Sequence, residues 1–386
     1  MVGCGSKAAP SGGDDESGSS YYAKWTNGPP SDPSFFPVAV WLQSPSNAAA
    51  YRAIGVNAFI GLWEGPTAQQ LQDLGEAGMP VLCDQGGVYQ SHLTDKTILV
   101  WTQEDEPDNA QASSGGGYDP CVPPATVVSL YQGMVRADPT RPVFLNLGQG
   151  VANDDWVGRG SVCSDAGRVL LDYPKYVQGG DIISFDIYPV NDTSSSVHGN
   201  LWLVAKGVDR LRQWTEGKKP IWNWIETTDM NGTGNGPTPA EVRAEVWMSI
   251  VHGSMGIGYF VHVFTPSFIE AGLLADGEMT DAVKAINAEI HDLAPVLNSS
   301  SLTDAVRVDS SNANAPVDAM VKRQGGATYL FAVGMRAEAT RATFTISSVG
   351  SALAEVLGES RSVAVTGGSF SDDFDPYGVH LYRIAQ

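Results

Sequence analysis

The sequence predicts an α/β fold: a closed (β/α)₈ TIM barrel followed by a small C-terminal antiparallel β-sandwich. Between residues 36 and 297, short apolar runs alternate with longer segments whose apolar residues recur at helical spacing. Eight such runs occur over roughly 260 residues, the usual size of an eight-stranded barrel. After Leu297 the helical pattern ends, and short strand-like runs separated by Gly and Asn replace it.

The eight barrel strands are predicted at residues 37–42, 56–62, 80–83, 98–101, 142–147, 182–187, 220–225 and 256–264. Each is followed by a predicted helix. Two of these helices carry clear start signals: Thr67 with Gln70 makes a capping box, and Thr238-Pro239 precedes a glutamate at the third helical position. The sandwich strands are predicted at residues 306–308, 319–321, 328–333, 342–346, 363–365 and 379–382.

These patterns divide the chain into a flexible leader (1–33), a barrel (34–300) and a sandwich (301–386). Residues 5–20 are rich in Gly, Ser, Asp and Glu, a composition typical of a tether. The start, Met-Val-Gly-Cys4-Gly, resembles the end of a bacterial lipoprotein signal, whose cysteine carries the lipid; the alternative is a chance cysteine in a leader. We therefore expect an extracytoplasmic protein, secreted or lipid-anchored at the bacterial cell surface or in the periplasm.

The charge of the chain narrows the classes of partner. With 43 acidic and 23 basic residues the net charge is −20, which argues against nucleic acid and anionic membrane surfaces. A neutral oligo- or polysaccharide is compatible with this charge. The six histidines show no metal-binding spacing, so a metal hydrolase is disfavoured and we expect no metal or other cofactor. We expect a monomer, with membrane contact only through a lipid on Cys4.

Two strand-end glutamates are the candidate catalytic residues. Glu106 lies just after the fourth predicted strand, within Glu104-Asp105-Glu106-Pro107-Asp108, and Glu226 ends the seventh. In such barrels catalytic groups lie at the carboxyl ends of strands, and a pair of carboxylates is what hydrolysis of a glycosidic bond requires. For Glu106 the alternatives are an acidic helix N-terminus, or Glu104 as the acid instead.

Strand alternation selects further candidates for the barrel mouth. Ser184, Asp186 and Tyr188 share the face of the sixth strand that should point to the axis. The candidate substrate-binding residues are Trp63, Asp84, Asp105, Asn146, Tyr188, Trp224 and His262. Trp63 could cover the apolar face of a sugar ring, although most tryptophans are packing residues.

These motifs together resemble clan A glycoside hydrolases, which are retaining (β/α)₈ enzymes. Asp105-Glu106-Pro107 stands where that clan has Asn-Glu-Pro, and Glu226 stands where it has its nucleophile. Residues 181–189 resemble its sixth strand, whose final tyrosine (Tyr188 here) often hydrogen-bonds the nucleophile. The resemblance implies Glu106 as acid/base, Glu226 as nucleophile and a β-linked glycan as substrate. Asp105 departs from the usual asparagine, because an ionised carboxylate only accepts hydrogen bonds.

A second possibility is a catalytically silent glycan-binding protein on the same barrel, since fold alone does not establish activity. The cysteines supply a further prediction. Cys121 and Cys163 follow adjacent barrel strands, in polar loops that should lie side by side, and we predict a disulfide between them; the alternative is two unrelated thiols. Cys83 ends a predicted strand and should be a buried thiol.

Overall fold

A computed structural model describes residues 21–163, 168–347 and 349–385. Its first part is a closed barrel of eight parallel strands in sequential order, with the last strand pairing to the first. The strands are β1 (Val38–Trp41), β2 (Ala58–Ile60), β3 (Val81–Cys83), β4 (Ile98–Thr102), β5 (Val143–Leu147), β6 (Ile182–Asp186), β7 (Ile221–Glu226) and β8 (Ile257–Phe260). The predicted TIM barrel is confirmed.

The helices lie outside the barrel. They are α1 (Ala48–Ala53), α2 (Ala68–Ala77), α3 (Pro124–Ala137), α4 (Arg168–Tyr176), α5 (Leu203–Trp214), α6 (Pro239–Val251), α7 (Gly272–Ala275) and α8 (Gly277–Leu297). Both predicted capping boxes, at α2 and α6, are present. The prediction of a helix after every strand is wrong at β3, where the Gly-rich segment that follows forms only a 3₁₀ turn, Tyr89–Ser91. No helix in the described part of the chain is long and apolar enough to cross a membrane.

Alternation along the strands separates two apolar layers. Phe144, Trp222 and Trp224 pack together inside the barrel. Ile183 and Phe185 belong to the larger core between the strands and the helices. The predicted facing of β6 is therefore correct, and Ser184 and Asp186 point towards the axis.

The segment before β1 is packed, so the predicted leader boundary at residue 33 is too late. Tyr22 is only 2% exposed and belongs to the apolar cluster inside the barrel, where its hydroxyl accepts a hydrogen bond from Trp222 Nε1 at 3.1 Å. Tyr21 donates to the backbone oxygen of Asp181. These contacts bury aromatic surface that a flexible leader would leave in water. Cys4 and residues 5–20 lie outside the described residues.

The C-terminal part consists of two antiparallel sheets over a separate apolar core. Its strands are β9 (Val306–Ser310), β10 (Val317–Gln324), β11 (Ala327–Gly334), β12 (Thr340–Ile346), β13 (Ala352–Val356), β14 (Arg361–Val365), β15 (Ser369–Phe374) and β16 (Val379–Ala385). The sheet orders are β9-β12-β15 and β10-β11-β16-β13-β14. The predicted sandwich is confirmed, with β13 and β15 as additional strands.

Candidate active site at the barrel mouth

A chain of hydrogen bonds rises from the barrel interior to the carboxyl ends of the strands. Trp224 Nε1 donates to Ser184 Oγ at 3.3 Å, and Ser184 Oγ donates to Asn146 Oδ1 at 2.6 Å. Because Asn146 accepts through its oxygen, its Nδ2 must point the other way. That nitrogen donates to Asp105 Oδ1 at 2.8 Å and to Asp186 Oδ1 at 3.3 Å. The barrel core thereby orients an amide towards two carboxylates.

Asp105 and Asp186 form a close pair. Both accept from one nitrogen, so their two oxygens cannot be further apart than the sum of those distances, about 6 Å. Asp105 is reached by solvent at the mouth and Asp186 is partly exposed, so a ligand has access to both. Two carboxylates at this separation resist simultaneous ionisation.

The pKa values of this pair are raised. Burial among protein groups, and then the charge of Glu106, raises the pKa of Asp105 to about 7, although Asn146 opposes this. Burial also raises the pKa of Asp186 well above its ordinary value, and the charges of Glu106, Asp105 and Asp108 add to the shift. A hydrogen bond between Tyr188 and Asp186 lowers the pKa of Asp186, but by less than burial and the neighbouring charges raise it. The raised pKa values favour a protonated carboxyl group in this pair.

Glu106 is turned away from the open mouth. Its backbone has a φ of +44°, and its side chain is 7% exposed. Its Oε2 accepts from Arg159 Nη2 at 2.6 Å and from Asn109 Nδ2 at 2.9 Å. Asp105, and not Glu106, accepts the hydrogen bond from Asn146. The role of Glu106 as acid/base stays a prediction; its charge acts on both Asp105 and Asp186.

Glu226, the last residue of β7, is buried, and its predicted pairing with Glu106 stays a prediction. Its side chain is 0% exposed. Its carboxylate accepts from the backbone N–H groups of Val190 at 2.6 Å and Asn191 at 2.9 Å, and also from the amide of Asn191. These donors belong to the turn after β6 and fix the position of the Glu226 carboxylate. In this position Glu226 holds the loop after β6.

Three of the predicted substrate-binding residues have surroundings that the sequence did not indicate. Trp224 is 1% exposed inside the barrel, where its ring nitrogen donates to Ser184, and its contact with substrate stays a prediction. Tyr188 lies at the mouth, but its hydroxyl bonds Asp186 and not Glu226. Asp84 is exposed at the end of β3; among the hydrogen bonds of the described residues, none joins it to Asp105, Asn146 or Asp186.

Trp63 and His262 lie together on the far side of the mouth. Their rings are stacked, with centroids 5.6 Å apart. Trp63 Nε1 donates to Glu270 Oε1 at 2.7 Å, and Glu270 also accepts from Ser44 Oγ at 2.8 Å. Burial lowers the pKa of His262, whose Nε2 lies 3.0 Å from the backbone oxygen of Leu42. Trp63 is thus held as a rigid, partly exposed ring.

The disulfide between Cys121 and Cys163 is present, with a Cα–Cα distance of 4.9 Å, as the sequence predicted. It joins the loop after β4 to the loop after β5. Arg159 belongs to the second loop and its backbone N–H donates to Asn109 Oδ1, in the first loop, at 3.0 Å. Cys83 is a buried free thiol, also as predicted.

Sequence reasoning missed three residues of this site. Alternation places Asp186 on the axis-facing side of its strand, but the set of candidate site residues does not include it. Its position two residues before Tyr188, on the same face of the strand, is the signal that could have identified it. Arg159 and Glu270 lie in loops, and no pattern in the sequence assigns partners to loop residues. Within the described ranges, no group of three or more His, Cys, Asp or Glu side chains has a geometry that could hold a metal ion.

Comparisons with known proteins agree with this architecture. No family model and no curated protein sequence matches the chain. Among solved structures, a putative α-galactosidase from Bacteroides fragilis NCTC 9343 is similar over 91% of this chain and 79% of its own, at 10% identity and a TM-score of 0.51. A putative α-galactosidase/melibiase from the same strain is similar over 90% and 79%, at 11% identity and a TM-score of 0.51.

A GH30 endoxylanase from Clostridium papyrosolvens C71 is similar over 91% of this chain and 96% of its own, at 12% identity and a TM-score of 0.48. At these identities, the two α-galactosidase structures establish the class of fold: a (β/α)₈ barrel followed by a β-sandwich. The reaction has to be argued from the site itself.

Proposed function

We propose that this protein is a retaining glycoside hydrolase in which Asp105 and Asp186 are the catalytic carboxyl groups. The observation that carries the proposal is the shared hydrogen bonding of these two side chains to Asn146 at the open mouth of the barrel. Retaining enzymes need two carboxyl groups about 5–5.5 Å apart, and inverting enzymes need about 6.5–9.5 Å. A limit of about 6 Å between two of their oxygens favours retention.

The surroundings assign a role to each carboxyl group. Asp186 is the acid/base, because burial and three neighbouring negative charges favour its protonated form. Asp105 is the nucleophile, since it is solvent-accessible and receives the shorter of the two hydrogen bonds from Asn146, which favours ionisation. Glu106 contributes negative charge that helps Asp186 keep its proton.

The reaction has two steps. Asp105 Oδ attacks the anomeric carbon while the bond to the leaving oxygen breaks and Asp186 transfers its proton to that oxygen. Asp186, now ionised, then takes a proton from water as the water oxygen attacks the same carbon, which releases Asp105 and restores the proton on Asp186. Retention follows because the carbon is inverted twice.

The linkage of the substrate is a separate question. The sequence resemblance favours a β-linked glycan, whereas the two solved structures with TM-scores of 0.51 are described as α-galactosidases. We further propose an extracytoplasmic location. The disulfide between Cys121 and Cys163 supports it, because such bonds persist in oxidising compartments.

The second candidate function is glycan binding without hydrolysis. The burial of Glu226 favours it, because the residue that the resemblance selects as nucleophile cannot reach a substrate. The two functions differ in one measurement, since a binding protein would retain glycans of the correct class without cleaving them.

The test is a screen of 4-nitrophenyl α- and β-glycosides and plant polysaccharides with the parent protein and single variants. Asp105→Asn should abolish turnover of every substrate. Asp186→Asn should lose most activity on unactivated glycans and less on nitrophenyl glycosides, whose leaving group needs little protonation; general acid catalysis is worth roughly 10²- to 10⁴-fold.

Two controls make the screen specific. Asp73→Asn makes the same chemical change at an exposed position of α2 and should leave activity unchanged. Glu226→Gln, checked for folding by circular dichroism, should retain turnover. Loss of turnover in folded Glu226→Gln together with normal activity in Asp186→Asn would refute the reassignment.

A further inference from the structure

Three exposed aromatic side chains lie on the far side of the mouth, and we call them the aromatic rim. Trp63, Phe264 and Phe268 are 38%, 50% and 52% exposed. The ring centroid of Phe268 lies 5.8 Å from that of Trp63 and 6.1 Å from that of Phe264. Contiguous exposed apolar surface on a soluble protein often marks a binding site, whereas single exposed rings need no explanation.

Ring contacts connect the aromatic rim to the acidic centre. Phe264 lies 6.1 Å from Phe260, and Phe260 lies 5.1 Å from Tyr188. Tyr188 in turn hydrogen-bonds Asp186. A ligand held at Asp186 would therefore meet a continuous row of ring surfaces as it extends across the mouth.

The aromatic rim is fixed before any ligand arrives. The loop after β8 is closed by a bridge between Val263 and Ile269, and the backbone N–H of Phe264 donates to Met230 at 2.7 Å. Glu270 occupies the only polar hydrogen of the Trp63 ring. The rings thus present faces and edges, not hydrogen-bond donors, and binding to a preformed surface costs little ordering entropy.

Charge limits what can occupy this surface. The rim contributes three uncharged side chains, and the neighbouring centre contains the carboxylates of Asp105 and Asp186. Arg159, which lies beside them, is already paired with Glu106. An acidic polysaccharide would be repelled here, whereas the C–H faces of neutral pyranose rings can pack flat on aromatic rings.

We propose that the aromatic rim is a stacking subsite for neutral pyranose units lying away from the bond that is cleaved. The substrate is accordingly a neutral oligosaccharide or polysaccharide, and a short glycoside fills only part of the site. The inference rests on the proposed function for the position of the cleaved bond, but binding at the rim requires no turnover.

The experiment measures binding by calorimetry in the Asp105→Asn background, where proposed turnover is blocked. The probes are hexasaccharides of glucose in β- and α-linkage, and of xylose, mannose and galactose, with the corresponding methyl glycosides for comparison. At least one hexasaccharide should bind more tightly than its methyl glycoside. Replacing both Phe264 and Phe268 by Ala should remove that advantage and weaken the hexasaccharide about tenfold.

Matched variants isolate the aromatic contribution. Phe268→Tyr keeps a ring and should bind as the parent does, while Phe268→Leu should be weaker. Leu130→Ala removes an apolar side chain that is 51% exposed on α3 and should have no effect. In the catalytically intact chain, the double variant should raise KM for the polysaccharide by a larger factor than KM for a nitrophenyl glycoside.

Three results would overturn the proposal: equal affinity in the double variant, an equal loss in Leu130→Ala, or no hexasaccharide bound more tightly than its methyl glycoside. These measurements distinguish failure of this inference from failure of the proposed function. Rim-dependent binding without any hydrolysis would refute the proposed function alone, and hydrolysis of glycosides without rim dependence would refute this inference alone.

Discussion

Among individual residues, Glu245 is the clearest case of a buried group whose chemistry affects stability. It lies on α6 with 0% exposure, and its carboxyl group faces the carboxyl group of Glu226. Burial raises the pKa of Glu245 well above its ordinary value, and the charge of Glu226 adds to the shift. Burial likewise raises the pKa of Glu226 to about 7.

These raised pKa values predict a loss of stability as pH increases. The folded protein holds protons that the unfolded chain releases near pH 4.5, so the free energy of unfolding should fall from there through pH 7. Glu245→Gln removes one titrating group and supplies a donor towards Glu226. Urea unfolding should find this variant about 1 kcal/mol more stable than the parent at pH 8 and nearly equal at pH 4.

Glu278→Gln is the control, because Glu278 is exposed at the start of α8 and should show no such pH-dependent difference. A Glu245→Gln variant that is less stable than the parent at pH 8 would show that the carboxylate has a stabilising partner.

For individual residues, the sequence predicted which face of a strand a side chain occupies. It did not predict where a side chain points at or beyond the end of a strand. Alternation placed Ser184, Asp186 and Tyr188 correctly, because a strand has a fixed period of two. Alternation does not extend to Glu106, which lies beyond the end of β4, and it stops at Glu226, the last residue of β7. There, a positive φ and the backbone donors of a neighbouring loop decide the direction of a side chain, and neither is visible in a one-dimensional pattern.

At the scale of elements, the two loops joined by the disulfide form one wall of the site. The backbone N–H of Val122, beside Cys121, donates to Pro107 at 2.8 Å, and Arg159 reaches Glu106 from the second loop. The crosslink holds these two loops together. Its presence was predictable because adjacent barrel strands place their following loops side by side.

Replacing Cys121 and Cys163 with Ser should destabilise the protein and loosen this wall. Closing a loop across 42 residues restricts the unfolded chain by about 4 kcal/mol, which corresponds to a fall of roughly 5 °C in Tm for a chain of this size. We also expect kcat/KM to decrease, since Arg159 would lose its fixed position beside Glu106. Calorimetry with and without dithiothreitol measures the first effect.

Cys4→Ser is the matched control and should change neither Tm nor activity. An unchanged Tm in the double variant, or equal sensitivity of parent and double variant to dithiothreitol, would contradict the structural role of the bond.

At the scale of the whole molecule, the sandwich is fastened to the helices of the barrel. Trp247 on α6 packs against Phe331 on β11, with ring centroids 5.4 Å apart. His252, just after α6, lies 3.0 Å from Asp209 on α5 and 3.2 Å from Asp318 on β10. Burial alone would lower the pKa of His252, but these two carboxylates outweigh it and raise the pKa to about 10.

His252 should therefore stabilise the interface in a pH-dependent manner. The contribution is complete below the unfolded pKa of 6.5 and is lost as pH rises towards 10. His252→Gln should lower the free energy of unfolding at pH 6, and the difference from the parent should shrink between pH 7 and pH 10. His198→Gln, at an exposed position, is the control; a constant difference at all pH values would contradict the ion-pair account.

The order of elements was predictable over most of the chain because strand and helix periods differ, and because the sandwich lacks helical spacing. The packing of Tyr21 and Tyr22 into the barrel was not predictable. Nothing in a short aromatic pair after a polar leader indicates that it fills the end of a barrel 160 or more residues away in sequence.

The central claim is that Asp105 forms a covalent bond to the sugar, and trapping that bond tests it most directly. The parent protein is incubated with a 2-deoxy-2-fluoro glycoside of the sugar found in the substrate screen, which slows release of the intermediate. Mass spectrometry should detect one glycosyl unit per chain, located on Asp105 after proteolysis and absent in Asp105→Asn. A label on Glu226 or Glu106, or hydrolysis with inverted anomeric configuration and no label, would contradict the account.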